Sequence, residues 1–518
     1  MTQRKWNAQT AKARIEARLA EVKDLTVKDY VRVTDLERIP RNTAYRVDGV
    51  HVYVDILNME SILASTDVEG TRTHQRTLRF LNLLYRAVAR ILAQVDAIHV
   101  DFHNQRLHAV VAKPYNDEVE RLHRAVAMAQ LIIDVLGRQA EQGDGALPPA
   151  KIRVGIDSGE ALAVNNGRPG AREPLFLGPA ANLAAKRAAG NAAGIYVTDH
   201  VRAMLDWDAV EDEDATALTA VQIEASQVEA DLDVTADNIW DAWVDDLEKN
   251  PIGRFEFSAH TPPYATLDLD TLGPSHARRQ DALSLYADID GFTQYVADHI
   301  DSDADAEDVV RVLHVLRSEL DAVLTSDFQG AKIRFIGDCV HGALVEGTAQ
   351  TTDAPLTTSN AIACAGALRS SFELAKSVLA EQGIACELGL AIGIEYGPLV
   401  ITRLGIKGDL IRCAVGRGVL ASEKQQLRCS GRQTALGPVA YGHAPEWART
   451  WFGTTRRQAG VTYEEVVERR SQAEKSLAKS ATAPSLLRPV AASAAAAASA
   501  SLAFPAHSAV PTKPQGFA

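Results

Sequence analysis

Residues 282–296 read ALSLYADIDGFTQYV. The apolar, aromatic-bearing start predicts a buried strand. At DGFT the period changes to that of a helix, and Gly291 gives the turn a residue that permits close backbone approach. Asp288 and Asp290 therefore sit where a strand yields to a helix whose first N–H groups have no partners of their own. Further on, KIRFIGDCVHGALV (332–345) reads as a hairpin with Asp338 at its tip. A sheet that pairs the first strand with this hairpin brings Asp288 and Asp338 to one pocket. Two carboxylates on rigid strands suit Mg²⁺ or Mn²⁺, which take hard oxygen ligands and share the rest with phosphates. The plainer alternative is that Asp288 and Asp290 cap the helix and Asp338 fills a turn.

The same order of elements occurs earlier. RVDGVHVYVDILNMESIL (46–63) contains a buried strand over 50–56. A helix follows over 74–95, with Leu78, Leu81, Leu84, Val88 and Ile91 on one stripe. IHVDFH (98–103) and LHAVVA (107–112) form a hairpin, and 117–142 a helix. KIRVGIDSGEALAV (151–164) reads as a strand pair with a glycine-bearing turn. GPAANLAAKRAAG (178–190) reads as a helix, and GIYVTDHV (194–201) as a strand. The second half answers with a helix over 305–325 (Val309, Val312, Leu316, Leu320), then the hairpin and a helix over 359–383. A strand pair over 387–401 and a helix over 416–427 complete it. Asp55 and Asp288 differ by 233 positions, Asn104 and Asp338 by 234; Gly155 and Gly393, and Gly178 and Gly416, by 238. Four landmarks in near-constant register indicate an internal duplication with two copies, a pair packed face to face.

The chain thus divides into a helical lead-in (1–45, with an amphipathic helix over 8–24 packed on the body) and a first domain (46–205). A connector follows (206–275), whose acidic part is poorly periodic and whose FEFSAHTPP (255–263) is a last strand. After the second domain (276–468) comes an Ala/Ser/Pro tail (469–518) with little to bury. The net charge of −13 argues against a nucleic-acid partner. Five cysteines, none in a CxxC pair, argue against a disulfide framework or zinc site and favour a reducing cytoplasm. The N-terminus has no apolar signal segment, and no run of about 20 apolar residues predicts a membrane span.

YADIDGFT (286–293), IRFIGDCVHGAL (333–344), VGIDSGE (154–160) and FLGPAANLAAKRAAG (176–190) together resemble the class III nucleotide cyclases, the adenylate and guanylate cyclase family. The resemblance spans 46–205 and 280–430. It implies an α+β fold of two tandem ferredoxin-like (βαββαβ-type) domains forming a pseudo-dimer. The ribose 3′-hydroxyl of a nucleoside triphosphate would attack the α-phosphorus with the help of two divalent ions, Mn²⁺ or Mg²⁺. In that family one domain supplies two metal-binding aspartates; the other supplies an asparagine and, four residues on, an arginine. The matching acids here are Asp288 and Asp338, with the carbonyl of Ile289 as a further metal ligand. Asp290, Gly291, Phe292 and Thr293 would line the triphosphate side. The asparagine is Asn182. The arginine position holds Lys186, with Arg187 adjacent, so either cation could take that part. The first half has Asn104 where Asp338 would be, and the second has Leu420 at the asparagine position. One composite site should survive and its mirror image should be dead.

The base-reading positions of the family hold Val100 and Leu175, which cannot hydrogen-bond a purine edge; Asp101 is next door. The layout, with its lead-in AYRVDGVHVYVDILN, is similar to the pyrimidine cyclases of bacterial Pycsar antiphage systems. That likeness implies UTP as substrate, ahead of CTP or ATP. It also implies a cyclic-nucleotide product acting on a separate effector. A degenerate nucleotide-sensing module is the alternative. His99 and His103 share a strand face, which would allow a metal, although core histidines are commoner.

Overall fold

The computed structural model describes residues 4–482, apart from 32–33, 37–38, 65–66, 139, 142–145, 148, 166–173 and 407–408. The first half runs α1 (Ala8–Glu21), β1 (Thr26–Asp29), β2 (Thr43–Ile56), α2 (Thr71–Val95), β3 (Ile98–His103), β4 (Arg106–Val111), α3 (Glu118–Leu136), β5 (Ile152–Asn165), β6 (Pro174–Leu177), α4 (Pro179–Ala188) and β7 (Gly194–Val197). Between the halves lie α5 (Ala220–Ala230), α6 (Ala236–Lys249) and β8 (Phe257–Ser258). The second half runs β9 (Ala277–Asp290), α7 (Phe292–Asp298), α8 (Asp303–Ala322), β10 (Ala331–Ile336), β11 (Cys339–Leu344), α9 (Ala354–Glu381), β12 (Gly389–Ile406), β13 (Asp409–Val415), α10 (Arg417–Leu427), β14 (Gln433–Leu436), β15 (Arg457–Ala459) and α11 (Tyr463–Thr482).

Among the described residues the first sheet has the order β3-β4-β2-β5-β6, with β1 parallel to β2 and β7 parallel to β5. The second has the order β10-β11-β9-β12-β14-β15, with β8 parallel to β9 and β13 paired to β12. The registers match residue for residue. Tyr53 lies opposite His108 and Gly155, and Tyr286 opposite His341 and Gly393. These glycines are required: a Cβ at Gly155 would meet the carbonyl oxygen of Ala184 at 2.1 Å, and one at Gly393 that of Ser422 at 2.2 Å. Their absence of side chains lets α4 and α10 lie directly on the central strands.

The predicted stripes are buried as expected: Leu78, Leu81, Leu84, Val88 and Ile91 on α2, and Val309, Val312, Leu316 and Leu320 on α8. The cores are not private to each half. Leu162, Val164, Leu175 and Leu177 of the β5–β6 arm join the apolar cluster of the second half. Val400, Leu404, Ile411 and Val415 of the β12–β13 arm join that of the first.

Several expectations need correction. The segments 151–164 and 387–401 are not strand pairs; each lies in one long strand, because Gly159 and Gly397 continue the extended pairing. The acidic connector is not featureless: Thr219 and Thr235 each close a capping box and start α5 and α6. FEFSAHTPP yields a two-residue strand that joins the second sheet. Residues 469–482 continue α11, so the tail does not begin at 469; residues 483–518 lie outside the described residues. The hairpin tips also align differently. Asn104 (φ 49°) matches Gly337 (φ 57°), so Gln105, not Asn104, stands where Asp338 does.

Candidate active site

Alternation along β9 puts Tyr286, Asp288 and Asp290 on one face, and all three line a cleft of about 480 Å³. Asp338 reaches the same cleft from the two-residue turn between β10 and β11. α7 begins at Gly291, φ 87°, with no side-chain cap, so neither Asp288 nor Asp290 serves as a helix cap. Gln426 Nε2 donates to Asp288 Oδ2 at 2.9 Å, and the Gly431 N–H donates to Asp290 Oδ2 at 2.6 Å. Burial pushes the Asp338 carboxyl well above the usual carboxylate range, and repulsion from Asp288 and Asp290 adds to it, while Arg317 opposes it. Ile289, Gly291, Phe292 and Thr293 border the cleft as expected.

From the other half, α4 contributes Asn182 and Lys186, one turn apart on one face. Asn182 is 7% exposed, and among the described residues neither its amide nitrogen nor its oxygen has a hydrogen-bond partner. A buried, unsatisfied amide costs on the order of 1–3 kcal/mol, a cost that a ligand in the cleft would relieve. The structure separates the two candidate cations. Arg187 does not enter the cleft: one residue on, about 100° around the helix, it is 5% exposed. Its guanidinium pairs with Glu213 at 3.0 Å and Asp214 at 2.9 Å.

Val100 and Leu175 line a narrow adjoining pocket rather than the main cleft. Tyr53, Asp101 and Arg334 share its wall, and Arg106 borders both spaces. Arg334 pairs with Asp101 across the two halves. The histidines are packing groups. The Tyr53 and His108 rings stack at 4.0 Å, and those of Tyr286 and His341 at 4.2 Å. His103 Nε2 lies 3.2 Å from the Tyr286 hydroxyl, and His99 packs on Phe102. Burial pushes His51 and His341 down to about 3, so both are neutral near pH 7.

Glu423, Gln426 and Arg106 also line the cleft and were missed from sequence. The available signal was the polar i, i+3 pair of Glu423 and Gln426 on α10, a helix that Gly393 brings close to the sheet.

The mirror position is built differently. Gln105 Nε2 donates to Asp55 at 3.0 Å. Arg106 stands 4.0 Å from Asp55 and 2.5 Å from Glu423. Lys424, the counterpart of Lys186, pairs with Glu60, and the pocket left beside Asp55 has room for about one water.

Asp288 and Asp338 offer hard oxygen donors whose mutual repulsion a divalent cation would relieve, so the donor set fits Mg²⁺ or Mn²⁺. Among the described residues no group of three or more His, Cys, Asp or Glu could hold a metal. A metal here would therefore complete its shell with water and substrate oxygens. Among the described residues, no helix is long and apolar enough to cross a membrane.

The family described as "Adenylate and Guanylate cyclase catalytic domain" matches residues 276–412. A uridylate cyclase from Pseudomonas aeruginosa is 54% identical over 469 residues, 89% of this chain and 91% of the relative. A uridylate cyclase from a Rhizobium species is 41% identical over 434 residues, 80% and 82% respectively. A crystal structure of a class III adenylyl cyclase-like ATP-binding protein from Pseudomonas aeruginosa superposes with a TM-score of 0.88 at 52% identity. It covers 90% of this chain and 100% of that one. The chain belongs to the class III nucleotide cyclase family, whose catalytic domain generally works with divalent metals.

Proposed function

We propose that this chain converts UTP to 3′,5′-cyclic UMP and diphosphate at one composite site, formed by two tandem ferredoxin-like domains (46–205 and 276–468) acting as a pseudo-dimer. The observation that carries this reading is the buried amide of Asn182, unpartnered among the described residues, in the same cleft as Asp288 and Asp338. The ribose 3′-oxygen attacks the α-phosphorus, the bond from that phosphorus to the diphosphate oxygen breaks, and the hydroxyl proton leaves to solvent. Asp288, Asp338 and the Ile289 carbonyl would hold two Mg²⁺ or Mn²⁺ ions. Bound there, such ions lower the pKa of the attacking hydroxyl and neutralise the triphosphate. Asn182 orients the ribose and Lys186 supplies positive charge beside the reacting phosphorus, without the planar fork of an arginine. Asp290 and the 291–293 turn flank the triphosphate.

The base widens the narrow adjoining pocket as it enters, with Val100 and Leu175 as apolar walls. Asp101 and Arg334 add an acceptor and a donor, which match the N3–H and carbonyl edge of uracil. Two relatives named uridylate cyclase support UTP. The relative described as ATP-binding supports ATP as a second reading. By resemblance to the Pycsar cyclases, the product acts on a separate effector in the cytoplasm as an antiphage signal. The test incubates the purified protein with each ribonucleoside triphosphate and Mn²⁺ and identifies products by mass spectrometry. Cyclic UMP is expected to dominate. Cyclic AMP as the main product would replace the UTP assignment with ATP, and diphosphate-free retention of nucleotide would replace catalysis with sensing.

A further inference from the structure

Among the described residues, each half begins with a helix that packs mainly on the other half. α1 precedes the first half yet lies on α8 and α9 of the second; α6 precedes the second half yet lies on α2 and α3 of the first. In both cases the strand that follows returns home, β1 beside β2 and β8 beside β9. The two helices are equivalent. Ala11 and Ile15 of α1 are buried in the same phase as Ile239 and Trp243 of α6, each pair 228 positions apart.

The polar contacts of the two docked helices are opposite in sign. Arg14 of α1 meets Glu319 at 2.7 Å and Asp327 at 2.8 Å. Trp6 Nε1 donates to Ser371 Oγ at 3.1 Å, and Ser371 Oγ donates to Glu319 at 2.6 Å. On the other side Asp246 of α6 pairs with Arg86 and, at 2.9 Å, with Arg90. Asp237 of α6 pairs with Arg138 at 2.7 Å. Arg86 and Glu319 fall one position apart on the equivalent helices α2 and α8, because the π-helical turn over Val323–Asp327 adds a residue: Leu92 and Leu324 accept the matching closing N–H groups of Ala97 and Gly330. Neighbouring positions of the duplicated fold therefore carry a cation in one helix groove and an anion in the other.

We infer that the two halves are clasped by a reciprocal exchange of their leading helices, with the groove charge at Arg86 and Glu319 selecting which helix each groove accepts. Like charges set together at a partly buried contact cost more than an exposed pair contributes. Arg14 in the Arg86 groove, or Asp246 in the Glu319 groove, would be rejected. The clasp makes the groove between α8 and α9 a docking surface for a basic amphipathic helix, and the groove between α2 and α3 one for an acidic helix.

The test keeps the full chain and adds a protease site in the 231–234 turn between α5 and α6. After cleavage the halves are held only by non-covalent contacts, and their dissociation constant is measured by dilution in a sedimentation experiment. This readout does not depend on catalysis, so it stands or falls apart from the cyclase reading. Arg14→Glu should weaken association by about tenfold or more. Adding Glu319→Gln and Asp327→Asn to Arg14→Glu should bring it back to within about threefold, because the repulsion is gone. Asp246→Arg should weaken association similarly by facing Arg86 and Arg90. Melting of the uncleaved variants reports folding. Should Arg14→Glu not fold, Arg14→Met, which removes the pairing without reversing it, should still weaken association about threefold. Unchanged association in the folded Arg14 variants, or no recovery in the triple variant, would overturn the inference.

Discussion

At Asp288 and at Asp55 the same strand, hairpin and helix surround an acid, and almost every neighbour differs. Beside Asp288 stand a second acid, Asp338, and across the cleft an amide without partners among the described residues. Beside Asp55 stand Gln105 and the guanidinium of Arg106, with Leu420 where Asn182 would be. The first arrangement sets like charges together and leaves an amide without partners among the described residues; the second pairs its acid with protein donors and closes the space. Unsatisfied polar groups in a buried cleft are costly, and they persist where a ligand completes them. On the proposed reading duplication has separated tasks: one copy keeps an acid pair facing an unpartnered amide, and the other turns its acid into a counter-ion.

The contrast can be broken from the Asp288 side first, where effects should be largest. Asp338→Ala should reduce cyclisation by about 10³-fold or more, measured as product formation at saturating triphosphate, because a metal site with one carboxylate left is lost. Asn182→Ala, from the other half, should cost about 10²-fold, mainly in kcat. Lys186→Met should fall near Asn182→Ala and Lys186→Arg should recover much of the loss, since a cation is what the position supplies. At the mirror position Gln105→Ala and Asp55→Asn should leave the rate within about threefold of the parent. Asp55→Asn should still lower stability by about 1–3 kcal/mol in denaturant melts, as Arg106 loses part of its compensation. An Asp55→Asn variant as inactive as Asp338→Ala would erase the distinction between the two clefts.

The acids, the asparagine and the lysine were legible because a strand-to-helix turn, a hairpin tip and an i, i+4 pair are local patterns. The choice between Lys186 and Arg187 was not, since it depends on Glu213 and Asp214, which approach from the connector. The one-residue slip at Asn104 arose because a glycine and an asparagine share the left-handed turn position, an equivalence set by backbone geometry. The long single strands at Gly159 and Gly397 were misread because glycine signals a turn and a close approach alike. Glu423 and Arg106 were invisible as a pair because they come from opposite halves.

The finest test of the comparison uses another matched pair, Asp157 and Glu395, 238 positions apart on β5 and β12. Burial raises both carboxyls. Glu395 accepts backbone N–H groups from Ala440 at 2.7 Å and Tyr396 at 2.8 Å. Asp157 accepts the Thr198 hydroxyl at 2.5 Å and is pushed up to about 6. An acid whose folded pKa exceeds its unfolded value binds its proton more tightly in the native state. Its stabilising contribution is complete below the unfolded value and is lost as pH rises through about 6. Between pH 5 and pH 7 the Asp157 carboxyl should therefore lower stability by about 1 kcal/mol. Asp157→Asn keeps an acceptor for Thr198 and cannot ionise, so denaturant melts across that range should lose this part of the decline while cyclisation is unaffected. A decline of the same size in Asp157→Asn would mean that the Thr198 hydroxyl compensates the buried charge as fully as the backbone donors do at Glu395.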